Sequence, residues 1–118
     1  MKQPSQRQLR VNEQIRGVVS QTLHQGHFRD EVLFKYAADV TVGAVDASPD
    51  LKNATVFVMS LGGHDLDVIL KALNKAAPYF QSEINHKLNI KFTPRLKFKE
   101  DETFAEADRI EQLLKTVK

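Results

Sequence analysis

The chain has 118 residues, 42% apolar and 27% charged, with a net charge of +2. That makes one globular domain, residues 1–118 with an ordered core over about 5–117, able to bury a core unaided. Without cysteine it has no disulfide, thiolate metal site or thiol nucleophile, and no apolar run approaches the roughly 18 residues of a membrane span. The polar start "MKQPSQRQLR" lacks the apolar stretch of a secretory signal, so a soluble, cytoplasmic protein is expected.

In chain order, "SQRQLRVNEQIRGVVSQTLHQG" predicts an amphipathic helix with Val11, Ile15, Val18, Val19 and Thr22 as its stripe and Gly26 as its stop. Arg7 and Arg10 border that stripe. Two alternating, β-branched runs follow, Ala38 to Ala47 and Asn53 to Leu61, joined by the turn residues "SPDL" (Ser48 to Leu51). They predict an antiparallel hairpin. "GGHDL" then opens a helix with Asp65 as the candidate N-cap and Leu66, Ile69, Leu70 and Leu73 as the buried face.

That helix meets Pro78, which in a helix interior removes a backbone hydrogen bond and costs about 3 kcal/mol. Helical spacing resumes with Phe80, Ile84 and Leu88. The third strand, "TPRLKFKE", sets Leu96 and Phe98 on one face and Arg95, Lys97 and Lys99 on the other. The tail opens on Thr103 and Glu106, the spacing of a capping box, and carries a stripe of Phe104, Ile110, Leu113, Leu114 and Val117.

The order α-β-β-α-kink-α-β-α predicts an α+β fold, a three-stranded sheet with its helices on one face. The other face is left open, and its third strand bears three cations. Charge is segregated to match. Arg7, Arg10 and Arg16 face one acid, Glu13, and from Lys71 to Lys99 the only acid is Glu83. The acids gather at Asp65, Asp67 and Asp101 to Glu111. Such a division can put a basic face on a nearly neutral molecule.

The element order resembles the bacterial-type (type II) KH domain, an RNA-binding module whose paired helices flank a GxxG loop. Here Ala76-Ala77-Pro78 stands at that junction and no GxxG is present. In this the chain resembles the ribosome-binding factor A family, in which an Ala-x-Gly kink replaces the loop. "RQLRVNEQI" is similar to that family's opening helix, "VTVGAVDASPDLKNATVFV" to its hairpin, and "ALNKAAPYF" to its kink region. "PRLKFKEDET" followed by "RIEQLL" is similar to its closing strand and helix. Pro78 departs from the pattern, standing where the family usually has glycine; both residues break the helical ladder.

The resemblance implies a non-enzymatic ribosome assembly factor. It would bind the immature small ribosomal subunit and its rRNA, assist late maturation and rRNA end processing, and matter for cold adaptation. It implies a monomer, with no cofactor, small-molecule substrate or membrane partner. The expected RNA contacts are Arg7, Arg10, Lys71, Lys75, Lys87, Lys91, Arg95, Lys97 and Lys99, around a kink at Ala76, Ala77 and Pro78. Tyr79 could stack on a base, though an aromatic beside a helix junction is more often core.

Two rival chemistries share parts of this pattern. His64, Asp65 and Asp67, or His24 and His27, could suggest a metal or acid–base site, but they read more simply as turn and cap residues without a convincing third ligand. A small α+β protein-interaction or dimerisation module without RNA binding shares the layout. Like charges at Arg95, Lys97 and Lys99 would oppose self-pairing of that sheet face.

Overall fold

The computed structural model describes residues 4–26, 28–63 and 65–102. Within them run α1 (Gln6–Gln25), α2 (Glu31–Tyr36), β1 (Val40–Ala47), β2 (Asn53–Ser60), α3 (Leu66–Lys75), α4 (Ala77–Lys87) and β3 (Arg95–Glu100). The expected closing helix, Thr103 to Val117, lies outside the described residues.

α1 starts on a reciprocal cap. Ser5 Oγ accepts the Gln8 N–H at 3.1 Å, and Gln8 Oε1 accepts the Ser5 N–H at 2.8 Å. Its stripe is buried as expected, and Gly26 ends it. α2 is an element that the sequence pattern does not announce. Asp30 caps it, accepting from the N–H groups of Val32 (2.9 Å) and Leu33 (3.2 Å). With 6 residues it is too short to show a periodic stripe, and only Leu33 is fully buried.

β1 and β2 pair antiparallel and β2 and β3 parallel, in the order β1-β2-β3. One residue sets the phase of β1. The register shifts between Val42 and Ala44, which makes Gly43 a bulge. Before it Val40 and Val42 are buried; after it Val45 and Ala47 are. An unbroken alternation would have aimed Asp46 at the core, because a slip of one residue turns every later side chain to the other face. The bulge keeps Asp46 outside.

The hairpin turn is built on Ser48 and Asp50. Ser48 Oγ donates to the Asp50 carboxylate at 2.6 Å and accepts the Asn53 N–H at 3.1 Å, and Asp50 also accepts the Lys52 N–H at 3.0 Å. Leu51 takes φ 60° within it.

Both outer strands have free-edge backbone groups bonded by helix side chains, β1 at Ala47 and β3 at Leu96 and Phe98. At Ala47 on β1, Gln8 donates to the carbonyl (2.9 Å) and Asn12 accepts the N–H (2.8 Å). On β3, Asn74 accepts the Phe98 N–H (2.8 Å) and donates to its carbonyl (3.1 Å), and Gln81 accepts the Leu96 N–H (3.0 Å). These bonds fix where α1, α3 and α4 sit against the sheet and close edges that would otherwise recruit another strand. The core between the layers includes Ile15 and Val19 of α1, Val56 and Val58 of β2, Ile69 and Leu73 of α3, and Phe80 and Ile84 of α4. Phe80 stacks tilted on Phe98 with 5.1 Å between centroids.

The helix break falls on one residue. Ala76 has φ −89° and ψ 6° and serves both as the end of α3 and the start of α4. Its N–H still reaches Ala72 O (3.0 Å), while the Tyr79 N–H turns to Ala76 O (2.9 Å). Ala77 is already helical, and Pro78 lies exposed in the first turn of α4, where a missing N–H costs least. Pro78 thus interrupts one helix by starting another.

Candidate nucleic-acid interface

β3 places Arg95, Lys97 and Lys99 exposed on the sheet face away from the helices, while Leu96 and Phe98 turn inward. In register beside them on β2 stand Asn53, Thr55 and Phe57. Beyond these on β1 stand Asp46, opposite Thr55, and Ala44, opposite Phe57. Asp46 is therefore two strands from Lys97, roughly 9–10 Å at ordinary strand spacing. The end of the row at Lys99 is followed by Glu100, Asp101 and Glu102, so the basic field is strongest toward Arg95. There the Arg95 N–H bonds Lys52 O at 2.9 Å, which brings exposed Lys52 of the hairpin turn to the start of the row. Sequence reasoning missed Lys52, because only the β2–β3 register reveals the proximity.

α3 borders the same face. A groove there is walled by Gly43, Ala44 and Phe57 of the sheet, Phe98, Lys99 and Glu100 of β3, Asp101 and Glu102 after it, and Leu70 and Asn74 of α3, so acids outnumber cations in its lining. Lys71, three residues before Asn74, shares its side of the helix. Lys75, four residues after Lys71 and about 40° from it around the axis, shares that outward side, away from buried Ile69 and Leu73. Both lysines are exposed.

The remaining cations are dispersed. Exposed Arg7 and Arg10 sit on α1, whose Gln8 and Asn12 hold the opposite, β1 edge of the sheet. Lys87, at the end of α4, lies 3.7 Å from the Glu83 carboxylate and donates to Gln21 Oε1 at 3.3 Å. Lys91 is in the segment between α4 and β3, its ammonium 5.6 Å from the Phe92 ring centre. The structure thus draws together the β3 row and Lys52, and ties the helix that carries Lys71 and Lys75 to the β3 edge through Asn74. Arg7 and Arg10 stand apart from that face.

Tyr79 joins the aromatic cluster, 5.5 Å from Phe28 and edge-on to Phe80 at 5.9 Å, with part of its ring still in solvent. Asp65 occupies the expected capping position with φ 54°, but its side chain makes no capping bond. Instead it accepts the Tyr36 hydroxyl at 3.2 Å. Among the described residues no group of three or more His, Asp or Glu is placed to hold a metal, and His27 and His64 lie outside them. No helix among the described residues is long and apolar enough to cross a membrane.

Comparison with known proteins agrees with this architecture. The family model for ribosome-binding factor A matches residues 7–114. Ribosome-binding factor A of Rhodopseudomonas palustris (strain BisB18) is 51% identical over 112 residues, covering 95% of this chain and 80% of that protein. Its counterpart in Afipia carboxidovorans is 49% identical over 112 residues, covering 95% and 78%. Among solved structures, the crystal structure of ribosome-binding factor A from Thermus thermophilus superposes with a TM-score of 0.65 at 22% identity, over 79% of this chain and 94% of that one. A homology model of the Thermus thermophilus factor, as fitted into the cryo-EM map of its 30S complex, gives a TM-score of 0.61 at 22% identity, over 77% and 91%. The fold is KH-like. The chain belongs to the ribosome-binding factor A family, whose members are non-enzymatic ribosome assembly factors.

Proposed function

We propose that this family member binds the immature small ribosomal subunit through its rRNA, assists late maturation including rRNA end processing, and supports growth in the cold. On this reading it works in the cytoplasm, as a monomer. A factor of this kind acts by differential affinity: it holds one arrangement of the rRNA more tightly than another and shifts the balance between them.

The observation that carries the reading is the row Arg95, Lys97 and Lys99, exposed along one strand with Lys52 at its start. Cations spaced along an extended edge suit the repeating phosphates of a nucleic-acid backbone, and such contacts confer strong salt dependence. The Thermus thermophilus relative fitted into a 30S complex lends the same partner by kinship. Against dimerisation through the β3 edge stand the bonds of Asn74 and Gln81, which occupy backbone groups of Leu96 and Phe98 that strand-to-strand pairing would need. Sedimentation with free small subunits, large subunits and whole ribosomes tests the proposal. Salt-sensitive co-sedimentation selective for free small subunits is expected; a salt-insensitive dimer that sediments with none of them contradicts it.

A further inference from the structure

The segment from Ile84 to Lys99 contains no acid and five cations: Lys87, Lys91, Arg95, Lys97 and Lys99. At its centre is Phe92, 74% exposed, a large apolar ring that gains little from folding. The chain around it is held down. Leu88 and Ile90 pack against the core, Pro94 is buried, and Thr93 Oγ1 donates to Asn85 Oδ1 of α4 at 3.3 Å. These anchors hold Phe92 outward, three residues ahead of Arg95, while the Lys91 ammonium rests over its ring. Other strongly exposed apolar side chains, Phe34 on α2 and Leu61 after β2, belong to the opposite end of the sheet, near Asp30, Glu31 and Asp65. On the segment from Ile84 to Lys99 Phe92 is the one large apolar side chain strongly exposed, with Leu88 and Ile90 partly buried against the core.

We infer that Phe92 is a stacking platform for an unpaired RNA base, with Lys91 and Arg95 holding the phosphates on either side. Resting on the functional reading above, this adds a recognition element to it: the preferred RNA has at least one splayed-out nucleotide beside the strand tracked by the β3 row. An exposed aromatic ring flanked by cations is how single-stranded nucleic acid is gripped without a sequence code; Lys91 covers one side of the Phe92 ring, and a base would take the other. Phosphate contacts alone would not distinguish single strand from duplex; the ring does, because a paired base cannot present its face.

The chain contains no tryptophan, so Phe92→Trp creates a single fluorescent reporter at this position. Titrating it with an oligoadenylate of about 12 nucleotides, a length within the usual single-strand site range, should quench its emission as binding saturates. A blunt RNA duplex of the same length should leave the emission nearly unchanged. In parallel, Phe92→Ala should weaken oligoadenylate binding about tenfold or more, with an unaltered salt slope. Three results overturn the inference: emission that stays constant at saturation, equal affinity of Phe92→Ala and the parent chain, or a Phe92→Ala defect seen with small subunits and absent with the oligonucleotide, which would place a protein against the ring. If the parent chain binds neither small subunits nor RNA, the functional reading itself fails.

Discussion

Asn74 holds the main chain of Phe98 from both sides, accepting its N–H at 2.8 Å and donating to its carbonyl at 3.1 Å. This single side chain joins the helix that carries Lys71 and Lys75 to the strand that carries Lys97 and Lys99. Replacing it with alanine leaves two partly buried backbone groups without these partners. Asn74→Ala should destabilise the fold by about 1–3 kcal/mol, read as a lowered midpoint in urea unfolding. A change within a few tenths would mean that solvent serves those groups equally well.

Pro78 begins α4, yet the break at Ala76 does not depend on it alone. Asn74 before the break and Gln81 after it are both tied to β3, which fixes the two helices independently. Pro78→Ala should therefore keep the kink and lose about 0.4–1 kcal/mol through greater freedom of the unfolded chain. A more stable variant with added helical signal in circular dichroism would show that proline was holding apart one continuous helix.

Asp50 gives the hairpin turn a pH signature. The Ser48 hydroxyl, then the Lys52 N–H, stabilise its carboxylate and hold its pKa below the ordinary aspartate value. A carboxyl depressed in the folded state contributes stability above its unfolded pKa and loses it as pH falls through the folded one. The turn should thus slacken only at pH below the ordinary aspartate range. Carboxyl NMR titration should place Asp50 below the ordinary aspartate value, and Ser48→Ala should move it up. An unmoved midpoint would remove the hydroxyl as the cause.

Lys71 and Lys75, at i and i+4, share the outward side of α3, and charge reversal tests them as a pair. Both are exposed on the helix whose Leu70 and Asn74 wall the groove that Lys99 lines. Lys71→Glu with Lys75→Glu should weaken small-subunit binding and flatten its salt dependence, by roughly one unit of slope for each phosphate no longer neutralised, with the fold intact. Unchanged binding across a salt titration of the double variant would remove both from the interface.

Much of the fold was legible because it rests on periodicity. The stripe of Val11, Ile15, Val18 and Val19, the alternation of Leu96 and Phe98 with their charged neighbours, and the turn chemistry of Ser48 to Leu51 are local signals. What escaped was non-local or too short. α2 spans fewer than two turns, and its one sign was Asp30 ahead of Glu31. The bulge at Gly43 reverses the facing of Asp46 through a pairing that strand alternation cannot reveal. Asp65 has the residue type of a cap, yet Tyr36, 29 residues earlier, claims its carboxylate. The basic row was readable within one strand, while Lys52 and the groove beside Lys71 depend on register and helix placement. Exposed Phe92 left no periodic trace at all.

The most direct measurement is a salt titration of binding to free small subunits, comparing the parent chain with Arg95→Glu, Lys97→Glu and Lys99→Glu combined. Because these side chains face away from the core, the triple variant should unfold at nearly the parent temperature. Its affinity should drop at least tenfold at low salt, and its log–log salt slope should be shallower by about two to three, as expected when three phosphates are no longer neutralised. A folded triple variant that binds as tightly as the parent, with the same slope, would show that the open face of the sheet is not where the subunit is held.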